Sequence, residues 1–374
     1  MGAFVHIGHM KMKTLYLSVG LLTQSLTYAA EIPVYIGSGA ETGISKGVLD
    51  TNTGELKEVN IAVEVSKPGA LAISNDRKTI YSILKEKGEK SGFVASYAVK
   101  DDGGLELLGK QSSMGLGACH LSLDKASNIL FVANYSGGSI ASYQISGSKL
   151  SEAVSFHQHE GKSVNKKRQN SPHAHSIYAS PDNKFVYVAD LGIDKVIVYK
   201  LDQETAKLSL SSSAAVPAGS GPRHMVFSAD GNKLYVLNEL TLSVSRFARD
   251  ASSGELTLEE TKPVMAELSD RMTCSEIQLS KDGKFIYTAI RDLDGKKRDV
   301  ISILSAEDMS IIQEHPAGVS IPRHFGISPS GKWLLIAGQK SDQVIVHARD
   351  VATGKLTSTE HSAEVKQPMW ILFK

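Results

Sequence analysis

The chain has 374 residues, of which 41% are hydrophobic and 22% charged, and its formal net charge is +1. This composition is typical of a soluble folded protein, and the near-neutral charge argues against nucleic acid or a membrane surface as partner. We therefore expect a small-molecule partner.

The first 29 residues resemble a secretory signal. Two lysines precede a mostly apolar stretch over residues 15–26, and small residues follow up to Ala29. We predict a signal peptide over residues 1–29, export to the periplasm, and a single mature domain over residues 30–374 with no membrane association. An ordinary apolar tail is the alternative.

A short pattern recurs about every fifty residues in the rest of the chain, a period typical of repeat architectures. Each copy has an apolar stretch centred on one aromatic residue or leucine, then a turn and a second apolar stretch. The seven centres are Tyr35, Tyr81, Phe131, Tyr187, Tyr235, Tyr287 and Leu335.

Each copy predicts four strands. In the clearest copy, apolar or alternating runs occupy residues 175–179, 185–189, 196–199 and 208–210. The tight-turn sequence Ser180–Asn183 separates the first two runs, and turns such as Asp250–Gly254 separate the third and fourth in other copies. Each unit is therefore interpreted as a four-stranded meander.

The two ends of the repeat region are complementary. The first copy begins at its second strand, Pro33–Ile36, whereas Pro368–Phe373 has the pattern of a first strand without a partner. The sequence thus predicts an all-β fold, a seven-bladed β-propeller of four-stranded antiparallel blades, closed by the C-terminal strand joining the N-terminal blade. An open β-solenoid, the alternative, gives no reason for complementary ends.

Charged residues interrupt the repeat at two corresponding positions. The start of the first strand holds His175, Arg223 and Arg323 in three copies, and the end of the second strand holds Glu239 and Arg291 in two. Antiparallel neighbours place these two positions at one edge of a blade, and the first strand of a propeller blade is innermost. We therefore expect these side chains to converge at one mouth of the channel.

Such a set suits the attack of water on a cyclic ester. Arginines bind carboxylates, phosphates or developing oxyanions, an ionised Glu can take a proton from water, and His can transfer a proton near neutral pH. The alternative is that these channel positions are simply hydrated and bind no substrate.

A metal site is a further alternative. His157 and His159, or His173 and His175, have a spacing that places two imidazoles on one side of an extended chain. The arginines expected at the same channel mouth would repel a cation. We expect no metal and no cofactor.

Cys119 and Cys274 fall in repeats three apart. They should therefore lie across the channel from each other, too far apart for a disulfide, so we expect free, buried thiols.

Several motifs closely resemble the seven-bladed propeller lactonase family, which includes propeller-type 6-phosphogluconolactonases and carboxymuconate lactonizing enzymes. The matching segments are Ser163–Asn165, Arg168–Gln169, Ser171–Ser176, Gly221–His224, Asn238–Leu240 and Cys119–Ser122. The resemblance places the catalytic site at His175, Arg223, Glu239 and Arg291. We expect Arg323, Arg168, His120 and His173 to bind substrate.

The resemblance implies hydrolysis of a sugar-acid lactone. We also expect the protein to be a monomer. Because a phosphorylated sugar lactone belongs in the cytoplasm, the predicted export favours a non-phosphorylated aldonolactone. A non-catalytic periplasmic binding propeller and a lactonizing isomerase of the muconate type are the alternatives.

Overall fold

The computed structural model describes residues 1–3, 30–269, 271–296 and 298–374. Regular secondary structure in these ranges consists of β-strands, and no helix there is long and apolar enough to cross a membrane. Apart from its first three residues, the predicted signal segment lies outside the described part of the chain.

The strands are short and evenly spaced along the chain. In order they are β1 (Glu31–Ser38), β2 (Ile44–Asp50), β3 (Leu56–Val63), β4 (Leu71–Ile73), β5 (Thr79–Leu84), β6 (Ser91–Val99), β7 (Leu105–Leu116), β8 (Ala118–Leu123), β9 (Ile129–Asn134), β10 (Ser139–Ser146), β11 (Lys149–Gln158), β12 (Ala174–Ala179), β13 (Phe185–Asp190), β14 (Lys195–Leu201), β15 (Leu208–Ala215), β16 (Pro222–Phe227), β17 (Lys233–Asn238), β18 (Ser243–Arg249), β19 (Leu256–Pro263), β20 (Met272–Leu279), β21 (Phe285–Asp292), β22 (Val300–Ser305), β23 (Ile311–Pro316), β24 (Pro322–Ile327), β25 (Trp333–Gly338), β26 (Gln343–Arg349), β27 (Leu356–Glu364) and β28 (Pro368–Phe373).

These strands form seven four-stranded antiparallel sheets, which confirms the predicted propeller. Blade 1 contains β28, β1, β2 and β3, and blades 2 to 7 take the following strands in successive groups of four. The first strands of neighbouring blades contact one another around the whole ring, from β28 through β4, β8, β12, β16, β20 and β24 back to β28. The first strand of each blade therefore lines the channel.

The predicted closure of the ring is also confirmed. Strand β28 pairs antiparallel with β1, with Leu372 opposite Tyr35 and Ile371 opposite Ile36. The two ends of the domain thus complete a single sheet, in which β28 is the innermost strand of blade 1.

The repeat centres pack between blades. All seven side chains are at most 3% exposed. Four of the tyrosines donate a hydrogen bond from their hydroxyl to a backbone carbonyl of the next blade, as Tyr187 does to Gly254 at 2.8 Å and Tyr287 to Gly354 at 2.6 Å. Tyrosine therefore supplies both apolar area and one specific contact that fixes the neighbouring blade.

The turns follow the predicted chemistry. At Asp250 and Asp350 the backbone carbonyl accepts from the N–H of Gly254 and Gly354, and both glycines have positive φ, 77° and 75°. A side chain there would strike a phenylalanine ring of the preceding blade, so glycine serves both the turn and the blade contact.

The inner strands carry a bulge at the position that points into the channel. In β12 the pairing shifts between Ala174 and Ser176, and β8, β16 and β24 shift at the same place. A regular strand sends consecutive side chains to opposite faces, but a bulge re-aims the extra residue. Two consecutive side chains, such as Arg223 and His224, can therefore both face the axis.

Candidate active site

A cavity of about 430 Å³ lies at one mouth of the channel. Its walls come from blades 3 to 7 and from the connection between β11 and β12. The lining residues are Gly117, Cys119, Tyr135, Ser136, Arg168, His175, Glu239, Thr273, Arg291, Leu293 and Arg323.

Glu239 is the centre of the charged network. It follows β17, where its backbone N–H donates to the Gly221 carbonyl at 2.8 Å. Its Oε2 accepts from Arg223 Nε at 3.0 Å and lies 3.4 Å from Arg291 Nη2, while its Oε1 accepts from Arg168 Nη2 at 2.7 Å. One buried carboxylate is therefore shared by three guanidinium groups from three different parts of the ring.

The arginines keep Glu239 ionised. Burial alone would raise the pKa of this carboxyl, but the charges of Arg291, Arg223 and Arg168 outweigh it and lower the pKa to about 2. Burial also lowers the pKa of Arg291, to about 10, against the opposing effect of Glu239. At neutral pH the site contains a carboxylate and an excess of guanidinium charge.

Several donors around the cavity have no partner among the described residues. Arg223 Nη1 and Arg291 Nε are buried there without a hydrogen bond to any described group. Arg323, on β24, forms no hydrogen bond or ion pair with any described residue, and desolvation together with repulsion from Arg223 and Arg291 lowers its pKa. Because buried donors are normally satisfied, this arrangement is suited to an anionic or strongly polarised oxygen.

His175 is neutral at physiological pH. Its side chain is only 4% exposed, and burial together with the charge of Arg223 holds its pKa well below the usual 6.5. Its ring packs edge-on against Tyr135 and His224, with centroids 5.3 Å apart in each pair. Since Nδ1 is buried and has no hydrogen-bond partner in the described part of the chain, proton exchange with the cavity has to use Nε2.

The connection between β11 and β12 carries Arg168 to the cavity. The side chain of the adjacent Gln169 is fully buried and donates to the Leu191 carbonyl at 2.9 Å and to Asp194 Oδ1 at 2.7 Å. Asp194 Oδ1 also accepts from the Gly221 N–H at 2.7 Å, just before Arg223. The Arg168–Gln169 motif therefore contains one residue that lines the cavity, Arg168, and one buried side chain, Gln169, that anchors the connection to Leu191 and Asp194.

The remaining sequence-predicted residues lie around the cavity rather than in its wall. His173 stacks on Tyr135 at 4.5 Å, and its Nδ1 lies 2.9 Å from the Tyr135 carbonyl. Arg223 bonds Glu239 but does not line the cavity, and His120 is buried among the rings of Tyr178, His224 and Trp370. Tyr135, whose hydroxyl accepts from Arg168 Nη2 at 3.1 Å, was not among the predicted site residues. It occupies the same repeat position as Glu239 and Arg291, and this position was the available signal.

Neither cysteine forms a disulfide, as predicted. Cys274 is buried, but Cys119 is half-buried because it faces the cavity, so the expectation of two buried thiols was wrong for Cys119. Burial raises the pKa of Cys119 to about 12, which leaves it as a thiol and a weak nucleophile.

His157 and His159, one of the two pairs that suggested a metal site, have separate partners. His159 binds Asp190 Oδ2 at 2.6 Å and the Tyr199 hydroxyl at 3.0 Å, and His157 Nε2 lies 3.1 Å from the Leu208 carbonyl. Within the described ranges no three His, Cys, Asp or Glu side chains are grouped as metal ligands.

Because several histidines are buried around the axis, we expect the free energy of unfolding to fall in acid. Burial lowers the pKa of His120, His175 and His224 well below 6.5, and that of His324 to about 4. Below about pH 6.5 the unfolded chain binds protons at these positions and the folded chain does not, so the free energy of unfolding falls as the pH falls. The pKa of Glu276 is raised, so this carboxyl binds a proton more readily in the folded chain and offsets part of the loss of stability. It is one group, whereas four histidines act in the other direction.

Thermal unfolding at about pH 7 and about pH 5 measures this effect, and we expect a clearly lower Tm at the lower pH. A Tm that is unchanged between the two values would contradict neutral burial of these histidines.

Comparison with known proteins agrees with the fold. The family described as lactonase, 7-bladed beta-propeller, matches residues 33–373. A 6-phosphogluconolactonase of Bacillus subtilis is 29% identical over 349 residues, covering 92% of this chain and 98% of the relative. A 6-phosphogluconolactonase of Formosa agariphila is 29% identical over 336 residues, covering 86% and 94%.

Among solved structures, a periplasmic gluconolactonase of Pseudomonas aeruginosa superposes with a TM-score of 0.84 at 29% identity, covering 92% of this chain and 99% of the other. The family match spans nearly all of the described propeller, including every blade that contributes to the cavity. The chain therefore belongs to the seven-bladed β-propeller lactonase family.

Proposed function

We propose that this protein hydrolyses a sugar-acid lactone, an aldonolactone, in the cavity at the channel mouth. The observation that carries the proposal is the juxtaposition of a neutral imidazole, His175, with guanidinium donors that have no partner, Arg323 among them, around one polar cavity. Lactone hydrolysis needs a base for water and a stabiliser for the oxyanion that develops on the carbonyl.

In the first step His175 Nε2 takes a proton from water, and the water oxygen forms a bond to the lactone carbonyl carbon. The carbonyl π electrons move to oxygen, and the resulting negative charge lies among the free donors of Arg323 and Arg291. Charged donors that are already oriented stabilise such a transition state without reorganisation.

In the second step the tetrahedral intermediate collapses and the bond between the former carbonyl carbon and the ring oxygen breaks. The imidazolium of His175 returns its proton to the ring oxygen, which becomes the hydroxyl of the product. The new carboxylic acid releases a proton to solvent. The products are the open hydroxy acid, as its carboxylate, and one released proton, and the neutral imidazole of His175 is regenerated.

This division of roles differs from the sequence-based expectation, in which Glu239 is the base and His175 the acid. Both oxygens of Glu239 are engaged by three arginines, so a proton taken from water there would weaken these charged contacts, which makes Glu239 a poor base in this site. A neutral His175 is able to accept a proton. We therefore assign Glu239 the role of holding Arg223, Arg291 and Arg168 in place.

The proposed substrate is a non-phosphorylated aldonolactone, which the protein would meet outside the cytoplasm. The signal-like first 29 residues support export, and the structurally similar Pseudomonas aeruginosa protein is a periplasmic gluconolactonase. We accordingly place the mature protein, residues 30–374, in the periplasm.

Hydrolysis of a lactone panel tests the proposal. The panel contains glucono-δ-lactone, a 6-phosphorylated gluconolactone and a muconolactone, and heat-denatured protein corrects for spontaneous ring opening. We expect turnover with preference for glucono-δ-lactone. Binding of gluconate without turnover of any lactone would instead identify a binding propeller. Interconversion of the muconolactone with the unsaturated open diacid, in which no water is added, would identify a lactonizing isomerase.

The pH dependence of kcat/KM separates the two assignments of His175. If neutral His175 is the base, activity is lost only as the pH falls through its lowered pKa, so the rate should stay constant from about pH 8 down past about pH 6.5. A rate that decreases as the pH rises through the range below 6.5 would show that the protonated ring is required.

A further inference from the structure

A second set of polar side chains lies along the channel next to the cavity and is not used by the mechanism above. We call it the axial layer. Its members come from blades 1, 3, 5, 6 and 7 and are His120, His224, Glu276, His324 and Trp370. The three histidines and Glu276 are at most 3% exposed.

Glu276 connects the layer. Its Oε2 accepts from His224 Nδ1 at 2.9 Å and lies 3.4 Å from His324 Nε2, and its Oε1 accepts from the Ile277 N–H at 3.0 Å. His224 belongs to blade 5, Glu276 to blade 6 and His324 to blade 7. A single carboxylate thus links three neighbouring inner strands at the same level of the channel.

These links lie directly beside two arginines of the site. Arg223 precedes His224 and Arg323 precedes His324, and both arginines occupy the bulge where strand pairing is interrupted. The regular ladder therefore does not fix the backbone at these residues. The next anchored group along each strand is the histidine that Glu276 holds.

We propose that Glu276 is a positioning residue that acts through His224 and His324 to orient Arg223 and Arg323, and so sets the affinity of the cavity for an anion. This proposal rests on the proposed function in one respect, that both concern the same cavity. Anion binding can be measured without lactone turnover, so the role of Glu276 and the lactonase activity can be refuted separately.

Trp370 provides a spectroscopic signal for this coupling. Its ring stacks on His324 with centroids 3.9 Å apart. The chain has only two tryptophans, and the other, Trp333, donates from Nε1 to the Thr51 carbonyl at 2.9 Å, at the contact between blades 7 and 1. In a Trp333→Phe background, emission therefore reports on the axial layer.

The experiment titrates this background with sodium gluconate and with inorganic phosphate, using sodium chloride at matched ionic strength as control. We expect a saturable change in Trp370 emission. Glu276→Leu, which removes the acceptor at similar volume, should weaken binding about tenfold or more, equivalent to about 1.4 kcal/mol. Glu276→Gln should weaken it about threefold, because one amide oxygen replaces two acceptor oxygens.

Arg349→Met is the matched control. Arg349 is also buried and links blades, since it binds the Tyr287 hydroxyl and the Gly331 carbonyl, but it contacts no residue of the cavity. We expect it to lower Tm and leave anion affinity unchanged. Where lactone turnover is present, KM should follow the affinity in the Glu276 variants, while kcat changes by less than about threefold.

Unchanged affinity in Glu276→Leu with a lowered Tm would overturn the proposal and leave a purely structural role. If Glu276→Leu does not fold, unchanged affinity in Glu276→Gln overturns it equally. A starting protein that binds neither gluconate nor phosphate also overturns it. Anion binding that responds to Glu276 in a protein without lactonase activity supports the proposal and refutes the proposed function.

Discussion

Replacing His175 by glutamine is expected to lower kcat for lactone hydrolysis by about 10² to 10⁴. Glutamine retains the approximate size of the ring and a polar end, but it cannot take a proton from water and return it to the ring oxygen. The buried imidazole is neutral, so its removal leaves no unpaired charge. We therefore expect KM and Tm to change little.

Steady-state kinetics on glucono-δ-lactone, with Tm measured on the same preparations, check this result. His315→Gln is the control, because His315 is also a buried histidine but bonds Ser358 in the outer part of blade 7. We expect it to retain full activity. A His175→Gln protein that hydrolyses lactone at the rate of the unmodified protein would remove the imidazole from the mechanism.

Glu239→Gln should affect both activity and stability. The substitution leaves the buried guanidiniums of Arg223 and Arg291 without a counter-charge, and breaking a buried ion pair in this way costs about 3 to 5 kcal/mol. The arginines would also repel one another out of the positions that receive the oxyanion. We expect kcat/KM to decrease by about 10² to 10³.

Glu259→Gln provides the comparison for Glu239. Glu259 bonds Arg246 Nε at 2.7 Å, but this pair lies on outer strands and Glu259 is 34% exposed. Exposed pairs contribute about 1 kcal/mol or less, so Tm and activity should stay close to those of the unmodified protein. Full activity in a destabilised Glu239→Gln protein would show that the carboxylate is needed for folding alone.

The fold could be predicted from local patterns. The turn residues and the regular return of Tyr35, Tyr81 and their equivalents determine where strands begin and end, and the complementary chain ends indicate a closed ring. Because each blade contacts only its neighbours, these short-range rules are sufficient to specify the architecture. The hydroxyl of Tyr187 and its contact with Gly254 could not be predicted, since that bond joins two blades.

The site could be predicted only in part. Repeat register brings His175, Arg223 and Arg323 to one level, and the ring then places them at one mouth. Register does not show that Arg168 reaches Glu239 from a loop, because this depends on Gln169 packing against Leu191 and Asp194. It also assigns one side chain per strand to the channel, and so missed the bulges that turn His224 and His324 inward.

The amino-acid sequence thus determined the number of blades, the ring closure and the identity of most charged groups at the channel mouth, since these follow from periodic local patterns. Only the tertiary structure decided their protonation and pairing. Burial makes His175 neutral, three guanidiniums hold Glu239 ionised, and Glu276 meets His224 and His324 across three blades. These properties depend on distances and desolvation between residues far apart in the chain, which a linear pattern does not contain.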